Sequence, residues 1–187
     1  MDKELERQIE QKVKEVMNKE FEAKWQQYTA ERTDENRAAF IASKGSLDWA
    51  YPPLILGAAA SAMDMEASIF FTFYGLDIIN KKKNKNLKVS SIANPAMPIS
   101  IPSMVGMLPG MSAMATGMMK SWFDKANVMT IQDLLEACID GDVKMIGCQM
   151  TMDVMGVKQE DLIDGIEVGG AAAFLGYASK ANLTLFI

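Results

Sequence analysis

Two cysteines, Cys138 and Cys148, and no histidine at all bound the chemistry open to this chain. Without histidine there is no His-assisted serine or cysteine nucleophile and no histidine metal site. Two cysteines ten residues apart are a poor start for zinc, so no metal is expected. Cys148 stands where the apolar run "VKMIG" ends and "QMTMDVM" begins. If the run is a strand and the next segment opens a helix, backbone N–H groups and the helix dipole from Gln149 onward stabilise an anion there. A thiolate so placed has a lowered pKa and is the better nucleophile. The same position suits a small buried hydrophobe, which free cysteine often is, and position alone leaves both readings open. Cys138 lies about one turn before Gly141, on the helix expected to precede that strand. If the two elements run antiparallel, the sulfurs sit toward opposite ends of the sheet, beyond the roughly 7 Å Cα limit of a disulfide. Cys138 is then a structural residue.

Other candidates fall at the ends of two earlier apolar runs. "SKGSLD" supplies a turn with backbone donors at Ser43 and Gly45, and Lys44, which could attract an anionic sulfur species. "TFYG" supplies the Thr72 hydroxyl, the Phe73 and Tyr74 rings and a tight turn at Gly75. Neither has the glycine spacing of a P-loop or a dinucleotide fingerprint. As parts of one pocket with Cys148 and Gln149 they are geometrically consistent.

The elements that must position these residues follow from the hydrophobic pattern. "RAAFIAS" (37–43), "EASIFFTF" (66–73), "VKMIGC" (143–148), "GIEVG" (165–169) and "LTLFI" (183–187) have strand length and apolar residues on both faces, the pattern of buried parallel strands. Between them, "LDWAYPPLILGAAASAM" reads as a helix with Pro52 or Pro53 in its first turn. "TIQDLLEACIDGD" reads as a helix with Thr130 as N-cap and a stop at Gly141, and "GAAAFLGYASKAN" as a third. Strands alternating with helices predict a parallel sheet covered on both sides, whose working site lies beyond the carboxyl ends of the strands.

Two regions stand outside this rhythm. From Asp2 to about Arg32 the chain has neither Gly nor Pro, and Leu5, Ile9, Val13, Val16, Phe21, Trp25 and Tyr28 make one apolar stripe on a helix. The expected use of the stripe is docking on this subunit or a neighbouring one. From Val89 to Met119 there are 31 residues without a charge, enough to span a membrane, but Pro95, Pro98, Pro102 and Pro109 with three glycines oppose a continuous helix. Met104, Met107, Met111, Met114 and Met118 form a seam on any helical part. It reads first as an adaptable apolar surface under or between subunits, then as a loop covering the substrate, then as peripheral membrane contact. The run "KKKNK" (81–85) reads as a solvated loop without assigned function.

With 187 residues, the chain suits an α/β domain over 37–187 and an N-terminal helical extension over 1–36. Its net charge of −5 argues against nucleic acid as a partner. Few cysteines and no charged-then-apolar leader pattern at the start point to a reducing cytoplasm.

At these residues the sequence resembles the DsrE/DsrF-like sulfur-relay family, in the branch often labelled predicted peroxiredoxins. The matching pieces are "SKGSLDWAYPPLILGAAASAMDMEASIFFTFYGL", "MIGCQMTMDVMGV" and "GGAAAFLGYASKANLTLFI", spread over most of 38–187, and the middle one is the most specific. The resemblance implies a five-stranded parallel sheet in a three-layer α/β/α sandwich, homo-oligomers, and a cysteine, here Cys148, that carries sulfur as a persulfide. It further implies sulfur donor and acceptor proteins or low-molecular-weight persulfides as partners, and no cofactor. Peroxide reduction ranks lower, because no arginine is near Cys148 in sequence and no second thiol is well placed to resolve a sulfenic acid. The reading from another class is a non-catalytic oligomeric or membrane-peripheral binding module that uses the Met-rich surface.

Overall fold

The structure, a computed structural model, describes residues 3–33, 36–90 and 110–187. The chain divides into two compact units, Met1–Asn36 and Arg37–Ile187. The first holds one helix, α1 (Lys3–Thr33). Of its apolar stripe, Val13, Val16, Phe21 and Trp25 are each about half exposed or more, and Phe21 stacks on Trp25 at 6.2 Å. The side chains of Leu5, Ile9 and Tyr28 lie outside the described residues.

The second unit is a three-layer α/β/α sandwich. Five parallel strands, β1 (Arg37–Ala42), β2 (Glu66–Phe71), β3 (Lys144–Cys148), β4 (Glu167–Gly169) and β5 (Leu183–Phe186), lie in the order β4-β3-β2-β1-β5. Helices α2 (Leu47–Ala62), α3 (Met111–Lys125), α4 (Ile131–Asp140), α5 (Gln149–Met155) and α6 (Ala171–Ala178) complete it. One sheet face presents Phe40, Ile69, Phe71 and Met145 to α2 and α4, and this is the larger core. Each large side chain buried there contributes about 1.5–3 kcal/mol. The opposite face presents Ala39, Phe70, Ile146 and Cys148, and Phe174 of α6 stacks on Phe70 at 5.0 Å.

Two expectations change. The apolar run of β5 is not buried: all four of its side chains are exposed, Phe186 at 73%. β5 is the edge strand, and the helices α2 and α6 pack mainly on strands inward of it, so its side chains on both faces lie beyond the helical layers. Second, Pro52 and Pro53 sit in the second turn of α2, not the first, because the helix starts at Leu47 after its N-cap Ser46. Their missing N–H groups leave the Asp48 and Trp49 carbonyls without helical donors. The burial of Leu47, Ala50, Tyr51 and Leu54, with Tyr51 edge-on to Phe123 at 4.5 Å, outweighs that loss.

Within the charge-free stretch, residues 91–109 lie outside the described residues, and so do Met104 and Met107. Its last part enters α3, where Met114 is 58% exposed and Met119 packs against the larger core. Lys81 and Lys82 pair with Asp164 and Asp161 at 3.1 and 2.8 Å, tying their loop to the segment before β4, while Lys83 pairs with Asp77 of the turn after β2 at 2.7 Å.

Thr130 caps α4 through a reciprocal pair: its hydroxyl accepts from the Asp133 N–H, and the Asp133 carboxylate accepts from the Thr130 N–H. The hydroxyl and N–H of Thr130 hold the Asp133 carboxyl below the usual carboxylate range. Replacing Thr130 with Ala is expected to lower stability by about 1 kcal/mol, read as a shift in the urea midpoint with an unchanged slope.

Candidate functional site

β3 delivers Cys148 to the carboxyl edge of the sheet, where it is the N-cap of α5 with extended backbone (φ −68°, ψ 111°). Side chains alternate along a strand, so Lys144, Ile146 and Cys148 share the α6 face while Met145 and Gly147 face the larger core. The residue is only 4% exposed. β2 is the neighbouring strand, and Thr72, two residues beyond Phe70, points to the same face.

Burial alone would push the Cys148 thiol up. Four donors together outweigh it and hold the thiol below the ordinary cysteine value: the Thr151 hydroxyl and N–H, the Thr72 hydroxyl and the Met150 N–H. Both threonines are buried, their hydroxyl oxygens are 3.1 Å apart, and the Phe73 N–H donates to Thr151 Oγ1 at 3.3 Å. The Phe73 N–H thus occupies one lone pair of Thr151, and in the threonine pair either hydroxyl can donate to the other. All four donors are neutral. Among the described residues no charged side chain contributes to the lowered value.

The turn after β2 is fixed by close packing. A β-carbon on Gly75 would come within 2.1 Å of the Ala42 carbonyl oxygen, and one on Gly45 within 2.1 Å of the Tyr74 carbonyl oxygen. The loops after β1 and β2 therefore interlock backbone to backbone. Phe73 takes the left-handed conformation (φ 46°), a cost of order 1 kcal/mol for a residue with a β-carbon. That conformation aims its N–H at Thr151 and leaves its ring 59% exposed.

The remaining candidates from the sequence are distributed unevenly. Thr72 and Phe73 join Cys148 directly or through Thr151, and Gly45 and Gly75 hold the loop pair together. Ser43 donates both its N–H and its hydroxyl to the Ile187 carbonyl, at 2.8 and 2.9 Å. Gln149 turns along α5 and donates to Asp153 at 2.8 Å. The Lys44 ammonium lies over the Trp49 ring, 3.1 Å from its centroid, and lines a cleft of about 1190 Å³ whose walls do not include Cys148. Thr151 was not read from the sequence. The available signal is a hydroxyl residue three positions after the N-cap residue, the spacing at which capping boxes close.

Cys138 lies on α4, fully buried on the other face of the sheet, with its thiol on the Leu54 carbonyl at 3.5 Å. Burial, only partly offset by a backbone hydrogen bond from Ala58, raises it to about 11. Both cysteines are free thiols. No group of three or more metal-ligating side chains occurs among the described residues, and no helix there is long and apolar enough to cross a membrane.

Removing a donor from a thiolate raises its pKa. The pH at which Cys148 reaches half its maximal alkylation rate is therefore expected below the ordinary cysteine value in the native chain and higher in Thr151→Val. Stopped reactions at a series of pH values, with the modified residue read by mass spectrometry, check both, and Cys138 should remain unmodified across the range.

The family described as DsrE/DsrF/DrsH-like matches residues 34–186. The chain is 44% identical to the sulfur carrier protein DsrE2 of Allochromatium vinosum over 160 residues, 82% of this chain and 99% of the relative. It is 30% identical over 154 residues to YrkE of Bacillus subtilis, an uncharacterised protein, covering 81% of this chain and 96% of that one. The crystal structure of the ychN protein from E. coli aligns with a TM-score of 0.49 at 13% identity, over 82% of this chain and 99% of that one. A match running from before β1 to the end of β5 takes in the whole sheet and the cysteine edge together, and the chain belongs to the DsrE/DsrF/DrsH-like family.

Proposed function

We propose that this protein is a sulfur carrier that holds sulfane sulfur as a persulfide on Cys148 and passes it to a partner thiol. The observation that carries the reading is a nearly buried cysteine at the carboxyl edge of the sheet, the N-cap residue of α5, on the sheet face of two buried threonine hydroxyls, in surroundings that lower its thiol. The relative named as a sulfur carrier supports the chemistry from a separate direction.

In the loading step the Cys148 thiolate attacks the outer sulfur of a donor persulfide. The donor's S–S bond breaks, its electron pair leaves on the donor thiolate, and Cys148 becomes Cys–S–S⁻. In the unloading step an acceptor thiolate attacks the outer sulfur, and Cys148 departs as a thiolate with the new S–S bond on the acceptor. No net oxidant or reductant is consumed. A lowered pKa helps most in the second step, since a lower-pKa thiol leaves faster while its nucleophilicity falls less steeply. The Thr151 and Thr72 hydroxyls and the two N–H groups meet the departing thiolate and need no rearrangement to do so. Water is largely excluded at 4% exposure, which protects the persulfide between the two steps. Peroxide reduction is disfavoured by the same surroundings: no cation contributes at the sulfur, and Cys138, on the far face of the sheet, cannot resolve a sulfenic acid there.

Incubation with a sulfane-sulfur donor, followed by intact mass measurement, is expected to add about 32 Da, one sulfur atom, to the native chain and nothing to Cys148→Ser. Equal gain by Cys148→Ser would place the sulfur elsewhere. Cys138→Ala is expected to load normally.

A further inference from the structure

The cleft beside Lys44 is not needed to hold the sulfur. Its walls carry four lysines, Lys44, Lys82, Lys83 and Lys88, against two aspartates, Asp48 and Asp77. Asp48 accepts from the Ser90 N–H at 3.1 Å, Asp77 pairs with Lys83 at 2.7 Å, and Lys82 pairs with Asp161 at 2.8 Å, which leaves Lys44 and Lys88 outside any ion pair among the described residues. In a chain of net charge −5 this is a local excess of positive charge. Trp49, Pro52, Tyr74 and Leu87 supply apolar wall between the lysines, and Tyr74 is 64% exposed.

Its place in the fold ties it to the cysteine. Strand order reverses at β1, with β2 on one side and β5 on the other, and the loop after β1 at such a switch point is where open α/β sheets take ligands. Tyr74 forms part of the cleft wall, and the preceding residue, Phe73, donates to the threonine that holds Cys148. One interlocked turn thus has the cleft on one side and the sulfur on the other.

We propose that the cleft is a docking groove for an acidic segment of the partner protein, gripping it while the partner's thiol reaches Cys148. The inference rests on the sulfur-carrier reading and names the kind of partner that reading requires. Three features favour a polypeptide over a small anion. The volume of about 1190 Å³ exceeds the usual range of small-molecule pockets, about 300–1000 Å³. The cations are lysines without any arginine, flexible point charges that suit carboxylates spread along a chain more than the bidentate grip of one phosphate. Exposed Tyr74 and the neighbouring Phe73 are the residue types that anchor protein interfaces.

The test uses a short fluorescein-labelled peptide of glutamates and glycines and its glutamine counterpart, with the full chain. The glutamate peptide is expected to bind about tenfold tighter at low salt. That preference should vanish in about 0.5 M salt and in the double variant Lys82→Gln, Lys88→Glu, while Lys125→Glu, outside the cleft, keeps it. Equal binding of the two peptides overturns the proposal. So does a preference that survives in the double variant, or displacement of the peptide by micromolar inorganic phosphate, which would mark a small-anion site. With a cysteine added to each peptide, the protein persulfide is expected to give its sulfur faster to the glutamate version. Transfer at equal rates overturns the docking groove and leaves the carrier intact; glutamate-selective binding by a chain that takes up no sulfur overturns the carrier and leaves the groove.

Discussion

A thiolate that has lost nearly all of its water must have that water replaced, and at Cys148 the replacement is a set of backbone and hydroxyl donors fixed in advance. Every other feature of the carboxyl edge can be understood as holding those donors in position. Thr151 is placed by the first turn of α5, which exists because β3 ends at the cysteine. Thr72 is placed by β2, paired with β3 in register from Ser68 to Phe71. The Phe73 N–H, which donates to the Thr151 hydroxyl, is placed by a backbone conformation that only tight packing of the next loop can sustain. A cation would have bound the thiolate more strongly, but it would also have held the outgoing sulfur. Neutral donors lower the thiol's pKa and, on the carrier reading proposed above, leave the outer sulfur free to pass to an acceptor.

The two faces of the sheet differ in what they ask of a cysteine. On the α2–α4 face a continuous core surrounds Cys138, and its thiol, raised to about 11, is a small hydrophobe at any ordinary pH. On the α6 face, among the described residues of 37–187, the covering layer is one short helix, and the core there is a few side chains around Phe70 and Phe174. A residue at the edge of this thin layer can be shielded from bulk water and still lie close to the surface. The same fold therefore raises the thiol of one cysteine and lowers that of the other, with no charged side chain among the described residues contributing to the lowered one.

Much of this was legible in the amino-acid sequence, and the reasons differ by element. The five strands were readable because each is a short apolar run between helical segments, and the Thr130–Gly141 helix because its cap and its stop are chemical signals in single residues. The exposure of β5 is not legible, since apolar pattern reports what a strand could cover and not that it lies at the sheet edge beyond the helices. The prolines of α2 were placed a turn too early, since local propensity cannot weigh the tertiary burial of Leu47 and Tyr51. At the site, Cys148 and Thr72 could be found from their strand ends. Thr151 is not legible because its part depends on how the first turn of α5 meets the end of β2, where its hydroxyl pairs with Thr72. Lys44 was read for its charge, and its place over Trp49 depends on the course of α2, which the sequence does not display.

The interlocked turns at Gly45 and Gly75 divide the loop into two kinds of position. At residue 75 any added carbon collides with the Ala42 carbonyl, and the backbone that aims an N–H at Thr151 shifts with it. At residues 73 and 74 the side chains face outward, and their rings can be exchanged without touching that backbone path. A loop built in this way lets recognition drift while chemistry stays put: one fixed mechanism can be matched to successive partners by repainting two exposed rings.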